Sequence, residues 1–434
     1  MNTTNVLTRY PWIKWALVFI FVNTFGFPGS YTRVFGQSMK PLVEYTTFAL
    51  ELLMMATANA GNVLEVKLFE FDERCRPLYL LVLEFGITSM IASSSKSTEI
   101  VSCIRLFITA MFAIWICRNI GLKDLLEIIY RAQILFVIAS VAFPLLFPQY
   151  DIRTSSYQNT FVGIGGVKNV VGLELAFGII IQYLLYQEKK EKQEPVSVVF
   201  IGMLIAQIAL LISTDATGAM VVAVLPIVFL QLTKNGTRPA IPWGVMYIAA
   251  SAGFLLIALT CMPLFEPLLN ALGKDATLTG RIPLWRQLIE VMQQHNTLFG
   301  FGYGRFWFDE RAVAYMHEGF EQHSFMANMT SGAHNNIMEL LANNGILGVA
   351  TFFLVMFIVL EAINRLDTSH YRFTVAFVIL YTVIGCTERT WTTFEYMTLF
   401  LFITLGTILI NTRKENSVCL PSAQLLPPMN VNGP

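Results

Sequence analysis

Apolar runs of about 20 residues recur along the whole chain, and they constrain the fold more than any other feature. They fall at about 12–28, 42–60, 77–93, 99–117, 124–147, 168–186, 196–212, 218–232, 239–262, 346–362, 373–387 and 394–411. Such a run, wound as a helix, matches the roughly 30 Å hydrocarbon core of a bilayer and satisfies its own backbone there. Charged residues make up only 13% of the chain, against about 25% in ordinary globular domains. The reading is an all-α polytopic membrane protein with about twelve transmembrane helices. It forms one membrane domain over 1–434, with no separate soluble domain. The first run has no small-residue cleavage site and is followed by Pro28-Gly29, so it reads as a retained span, not a signal peptide. Six scattered Cys form no CxxC pair, which argues against metal or redox cysteine chemistry. A formal net charge of +0 gives no argument for nucleic acid, and none is expected as a partner.

Lys and Arg set the orientation, because cytoplasmic loops are enriched in both. With the N-terminus inside, the inner loops hold Lys67, Arg74, Arg76, Arg118, Lys123, Lys189, Lys190, Lys192, Lys234, Arg238, Arg365, Arg372, Arg413 and Lys414. The short outer loops hold only Arg33, Lys40, Lys96, Arg153, Lys168 and Arg389. The run Gln187 to Pro195 (QEKKEKQEP) reads as a solvated cytoplasmic linker. This topology puts Met262 to His334 on the outer face, between the ninth and tenth spans. A connection of roughly 70 residues is far beyond the usual length, so it is functional or structured in its own right.

That outer segment (262–345 with the helix start that follows it) concentrates the polar chemistry. In it Ile282, Trp285, Leu288, Ile289 and Met292 fall at helical spacing, which predicts an amphipathic helix on the outer interface. Thr279 is its expected N-cap, and Pro283 sits in its first turn. The GFGYG stretch at Gly300 to Gly304 has neither GxGxxG spacing nor a preceding strand, so it is no nucleotide loop. Ser331 is expected to cap a following helix with His334 in its first turn, and Asn343-Asn344-Gly345 to break that helix.

Three stretches carry a resemblance. TLTGRIPLW (Thr277 to Trp285), LFGFGYGRFW (Leu298 to Trp307) and HNNIMELLANNGILG (His334 to Gly348) resemble the motifs of the O-antigen ligase and polymerase superfamily, closest to its exopolysaccharide-polymerase branch. Gly166-Val-Lys168-Asn169 resembles that branch's Lys-Asn motif. The resemblance implies a GT-C-like arrangement of helices with the site on the periplasmic loop. It also implies a cell inner membrane location and an undecaprenyl-diphosphate-linked glycan as donor. The acceptor would be a glycan or lipid-linked glycan. One departure stands out: where relatives carry a basic residue at the outer start of the eighth span, this chain reads Ser213-Thr-Asp215-Ala-Thr217-Gly218.

The implied chemistry is attack of an acceptor hydroxyl on the donor's anomeric carbon, in one inverting displacement. It needs a base and positive charge on the leaving diphosphate. His334 is the expected base, since imidazole is the side chain that titrates near neutrality. Arg281 is the expected partner of the diphosphate, because its planar fork matches phosphate oxygens. Arg305, Lys168, Arg105, Asn335, Asn336, Glu339 and Asp215 are further expected substrate contacts. Lys168 and Arg105 are the candidates for the missing charge near Asp215. His295, His317 and His323 read as exposed loop residues. No Asp-rich cluster is present, so a metal-independent reaction with no cofactor is expected.

Charges inside spans (Arg105, Glu84, Arg131, Glu174, Glu388) are costly in lipid and so are candidates by default. Arg131 is expected to pair with Glu127 or Glu174. Tyr303, Trp307 and Trp391 suit either sugar stacking or the interfacial belt, with the belt preferred. Two alternatives stand beside the polymerase. One is a ligase that attaches the glycan to lipid A-core. The other is a polysaccharide or lipid transporter or flippase, against which stands the absence of a visible inverted repeat.

Overall fold

The computed structural model describes residues 6–25, 34–36, 38–59, 69–148, 160–233, 238–267, 277–278, 280–320, 332–389 and 396–412. Each of the twelve apolar runs becomes a helix. They are α1 (Pro11–Thr24), α2 (Met39–Asn59), α3 (Arg76–Ala92), α4 (Lys96–Asn119), α5 (Leu122–Leu146), α6 (Lys168–Glu191), α7 (Val198–Ser213), α8 (Thr217–Leu232), α9 (Trp243–Thr260), α12 (Asn336–Leu360), α13 (Thr368–Thr387) and α14 (Tyr396–Asn411). Between α9 and α12 lie α10 (Arg281–Gln294) and α11 (Glu310–Phe320). Among the described residues seven helices are long and apolar enough to cross a membrane, and α1, α7, α8 and α14 are shorter apolar helices. The chain is an all-α integral membrane protein with no strand among the described residues.

The main core is aromatic. The Phe177 ring of α6 meets Phe400 of α14 edge-on at 4.6 Å and Phe377 of α13 at 5.3 Å, with Phe25 at 5.8 Å. Such edge-to-face pairs add to the burial of the rings themselves. A second core gathers under α10, where Ile282, Trp285, Leu288 and Met292 pack with Ala258 of α9, Phe301, Phe306 and Met338 of α12. The amphipathic face foreseen for α10 is therefore used for packing; Leu284 and Val291 join it, and Ile289 is only partly buried.

Four expectations are corrected by the backbone. Helix α10 starts where expected, but its cap position is Gly280, held by a bond from the Gly280 amide to Thr277 Oγ1 at 2.8 Å; Thr279 lies outside the described residues. Helix α12 is capped by Asn335, whose Oδ1 accepts from the amides of Ile337 and Met338, so His334 stands just outside the helix. Ser331 is outside the described residues. The charge run after Gln187 is no linker: α6 continues through Glu191, and Glu194 folds back to Lys123 at 2.8 Å and Lys189 at 3.7 Å. Arg131 is exposed and pairs with neither Glu127 nor the fully buried Glu174, because it points off the surface of α5.

The break in α12 falls at the foreseen place. Gly345 has φ 67° and ψ −167°, a conformation open to glycine and not to side chains with a Cβ. A Cβ there would meet the Leu298 carbonyl oxygen at 2.3 Å. The amide groups released by the break are not stranded. Ile346 N donates to Thr297 O at 2.9 Å and Leu347 N to Leu298 O at 3.3 Å. In return Phe301 N donates to Ala342 O at 3.1 Å and Gly302 N to Asn343 O at 2.7 Å. The GFGYG stretch is thus laced along the interrupted helix, which satisfies backbone groups that lipid could not.

Candidate active site

Three segments meet at Glu388, the residue that ends α13. Its Oε1 accepts from Arg281 Nη2 at 2.9 Å and from Asn169 Nδ2 at 3.2 Å. Its Oε2 lies 2.9 Å from His334 Nδ1. One carboxylate therefore joins the first turn of α10, the first turn of α6 and the residue before the cap of α12. With the proton on Nδ1, His334 donates to Glu388 and leaves Nε2 free as a base, the usual logic of a base oriented by a third group. The side chains of Arg281, His334 and Glu388 are 19%, 25% and 21% exposed, so the group is sheltered but open on one side. Arg281 Nε is buried and makes no hydrogen bond among the described residues. An unsatisfied buried donor of this kind calls for an explanation, and a bound anion supplies one.

His334 is held in place by its neighbours. It has φ +50°, in the left-handed region that non-glycine residues rarely occupy. Trp285 Nε1 donates to Ala333 O at 2.7 Å, and Ala333 N donates to Glu339 Oε2 at 2.8 Å. On the other side Asn335 Nδ2 donates to Cys386 O at 3.1 Å. Strain at one residue persists when the surroundings over-determine it, as these three bonds do.

The other expected contacts divide. Lys168 reaches Asp215, with Nζ at 3.3 Å from Oδ2 and 3.4 Å from the Asp215 carbonyl oxygen. A cation thus stands at the corner where the chain carries none of its own. Asn335, Asn336 and Glu339 are expected at a substrate but are buried at 1%, 4% and 2% exposure. Asn335 caps α12 and ties it to α13, and Asn336 packs beneath Gly385. Glu339 accepts from Trp307 Nε1 at 3.2 Å and from Asn343 Nδ2 at 3.0 Å. These three hold the frame around His334 and are not presented to a ligand. Arg305 pairs with the buried Glu99 of α4 at 3.8 Å. Arg105 pairs with Glu44 of α2 at 3.2 Å between the Tyr45 and Phe48 rings, which accounts for its charge within a span. Tyr303 is neither belt nor sugar platform; it is buried against Phe85 in the main core. His295 packs edge-on to Tyr315 at 4.6 Å. His323 and Trp391 lie outside the described residues.

The sequence reading named Glu388 only as a costly charge in a span. Its role was findable on chemical grounds: a base histidine wants a carboxylate to fix its tautomer, and Glu388 is one of two acidic residues, with Glu395, in the short connection after α13. Nothing in the spacing alone links it to a histidine 54 positions earlier.

Residues 201–353, from α7 into α12, match the O-antigen ligase family. The chain is also similar to the exopolysaccharide production protein ExoQ of Rhizobium meliloti (strain 1021). The two are 25% identical over 332 residues, covering 72% of this chain and 74% of the relative. The matched family stretch contains Arg281, Arg305 and His334, while Lys168, Asn169 and Glu388 lie outside it. With three motif stretches in order, a matched stretch and a relative that spans most of its length, the chain is similar to the O-antigen ligase family and to a protein of exopolysaccharide production.

Proposed function

We propose that this protein is a polysaccharide polymerase of the inner membrane, with its site on the periplasmic side in the segment 262–345. Its donor is an oligosaccharide on undecaprenyl diphosphate, and its acceptor is a second lipid-linked glycan. The observation that carries the reading is the bridge from His334 through Glu388 to Arg281, which holds a base and a guanidinium together with one carboxylate between them. His334 Nε2 takes the proton of the acceptor hydroxyl as its oxygen bonds to the anomeric carbon. The bond from that carbon to the phosphate oxygen breaks, and configuration inverts because there is one displacement. The electron pair leaves with the lipid diphosphate, where Arg281 meets the negative charge through the donors not spent on Glu388. Lys168, steadied by Asp215, supplies the charge expected at that corner. The cations of the chain itself serve the leaving group, so no metal is required.

Reading the acceptor as lipid-linked glycan is supported by the relative named for exopolysaccharide production. The ligase reading is supported by the description of the matched family. Deleting the gene and resolving surface glycans by gel electrophoresis separates them. A polymerase leaves single units and no long chains. A ligase leaves lipid A without glycan and polymer stranded on its lipid carrier. Unaltered glycans would remove both readings.

A further inference from the structure

We propose that Asn169 is a positioning residue for the reaction. Its amide keeps Arg281 and Glu388 from closing into a two-bonded fork, so that Glu388 stays turned to His334 and Arg281 stays open to a ligand. The proposal rests on the donor reading above. An arginine and a carboxylate frequently pair through two parallel bonds, one to each oxygen, and that fork is the stronger arrangement. Here the fork is not formed. Arg281 gives one bond, from Nη2 to Glu388 Oε1 at 2.9 Å, and its buried Nε makes none among the described residues. The second oxygen, Oε2, faces His334 Nδ1 at 2.9 Å. Closing the fork would take that oxygen away from the histidine.

Asn169 accounts for the split. Its Nδ2 donates at 3.2 Å to Oε1, the oxygen that Arg281 already uses. Turning the carboxylate toward a fork would break this bond as well as the one to His334. The amide can hold the carboxylate because the backbone beneath it is pinned. Asn169 lies in the first turn of α6, where Val171 N donates to Val167 O at 3.1 Å. Lys168, the residue before it, reaches Asp215 Oδ2 at 3.3 Å, and Phe161 N ties the incoming chain to Ser213 O at 2.8 Å. A side-chain amide also donates without carrying charge, so it does this beside the guanidinium without repelling it. One carboxylate thereby serves two ends. Oε2 orients the base, and Oε1 steadies Arg281 through a single arm, leaving its other donors for phosphate oxygens.

The test pairs turnover on a lipid-linked substrate with equilibrium binding of undecaprenyl diphosphate, both on the full chain in nanodiscs. Asn169→Leu, which keeps the size and loses the donor, is expected to lower turnover about tenfold to a hundredfold, the range for one hydrogen bond to a charged group. It also weakens diphosphate binding about tenfold, because the closed fork competes with phosphate for Arg281. Asn169→Gln, which keeps an amide on a longer arm, recovers part of both. The decisive background is Glu388→Gln, whose neutral amide cannot close a charged fork. Asn169→Leu placed on it leaves diphosphate binding where Glu388→Gln alone has it, since the asparagine acts through that one side chain. An equal loss of binding in both backgrounds would make Asn169 a direct contact of the donor and overturn the proposal. Parent-like turnover and binding in Asn169→Leu overturn it too, and leave the donor reading standing. Failure of the parent chain itself to bind undecaprenyl diphosphate overturns both.

Discussion

At Glu388 three side chains from distant parts of the chain share one carboxylate, and each of them bears differently on the proposed reaction. His334→Ala is expected to lower turnover by about 100- to 10,000-fold, the usual range for a general base, with donor KM little changed. His334→Gln, which keeps a hydrogen bond but takes no proton, falls nearly as far. A Gln variant with most of the parent rate would reduce His334 to positioning the acceptor. Glu388→Gln is the complementary probe, because it leaves the imidazole but presents it in either tautomer; turnover is expected to fall on the order of 100-fold. Arg281→Lys keeps the charge and loses the fork, so it should recover little of what Arg281→Ala removes. Product ladders from a lipid-linked substrate measure all five variants. Parent-level activity in Arg281→Ala would take that residue out of the mechanism.

Among the elements, the interrupted helix α12 and the GFGYG stretch hold each other. The stretch is pinned at its far end by Asp309, which accepts from Ser94 Oγ at 2.9 Å and from Arg311 N, Nε and Nη2, each at 3.0 Å. Burial pushes the Asp309 carboxyl up, but the hydrogen bonds from Arg311 and Ser94 and the Arg311 charge outweigh it and hold the group below the usual carboxylate range. A carboxyl with a lowered folded value adds stability that is complete above its unfolded value, about 3.9 for Asp, and is lost as pH falls through the folded one. Hydrogen exchange at the Phe301 and Gly302 amides reads this directly. Their protection should hold from pH 7 to 5 and drop only in acid below the ordinary Asp range. Asp309→Asn should cost about fivefold in protection even at pH 7, the worth of one net charged hydrogen bond or less. Unchanged exchange in that variant would mean that the lacing to α12 holds the stretch without its anchor.

Across the whole molecule, the prediction concerns sidedness. The proposed reaction needs the segment between α9 and α12 on the side where the lipid diphosphate is presented, and from the Lys and Arg bias we propose that this segment lies outside. A reporter active only in the cytoplasm, fused after Thr277, is expected to be silent, and the same reporter after Gln193 to be active. A strong signal at Thr277 would overturn both the sidedness and the periplasmic site.

The helices were legible in the residues alone, because lipid admits few ways to satisfy a backbone and runs of about 20 apolar residues are the plainest of them. So was the break at Gly345, where Asn-Asn-Gly interrupts an apolar helix. Arg281 and His334 came into view through local motifs, each readable within a few residues. That these two meet at Glu388, that Lys168 pairs with Asp215, and that Arg105 and Arg305 are engaged with Glu44 and Glu99 emerges from the packed fold alone. The cause lies in how ion pairs form here. Which carboxylate a cation finds depends on how helices far apart in sequence pack and rotate, and that packing rests on non-directional contacts such as those of Phe177 with Phe377 and Phe400. Charge and motif reveal that a residue needs a partner; only the packed bundle selects which one it has.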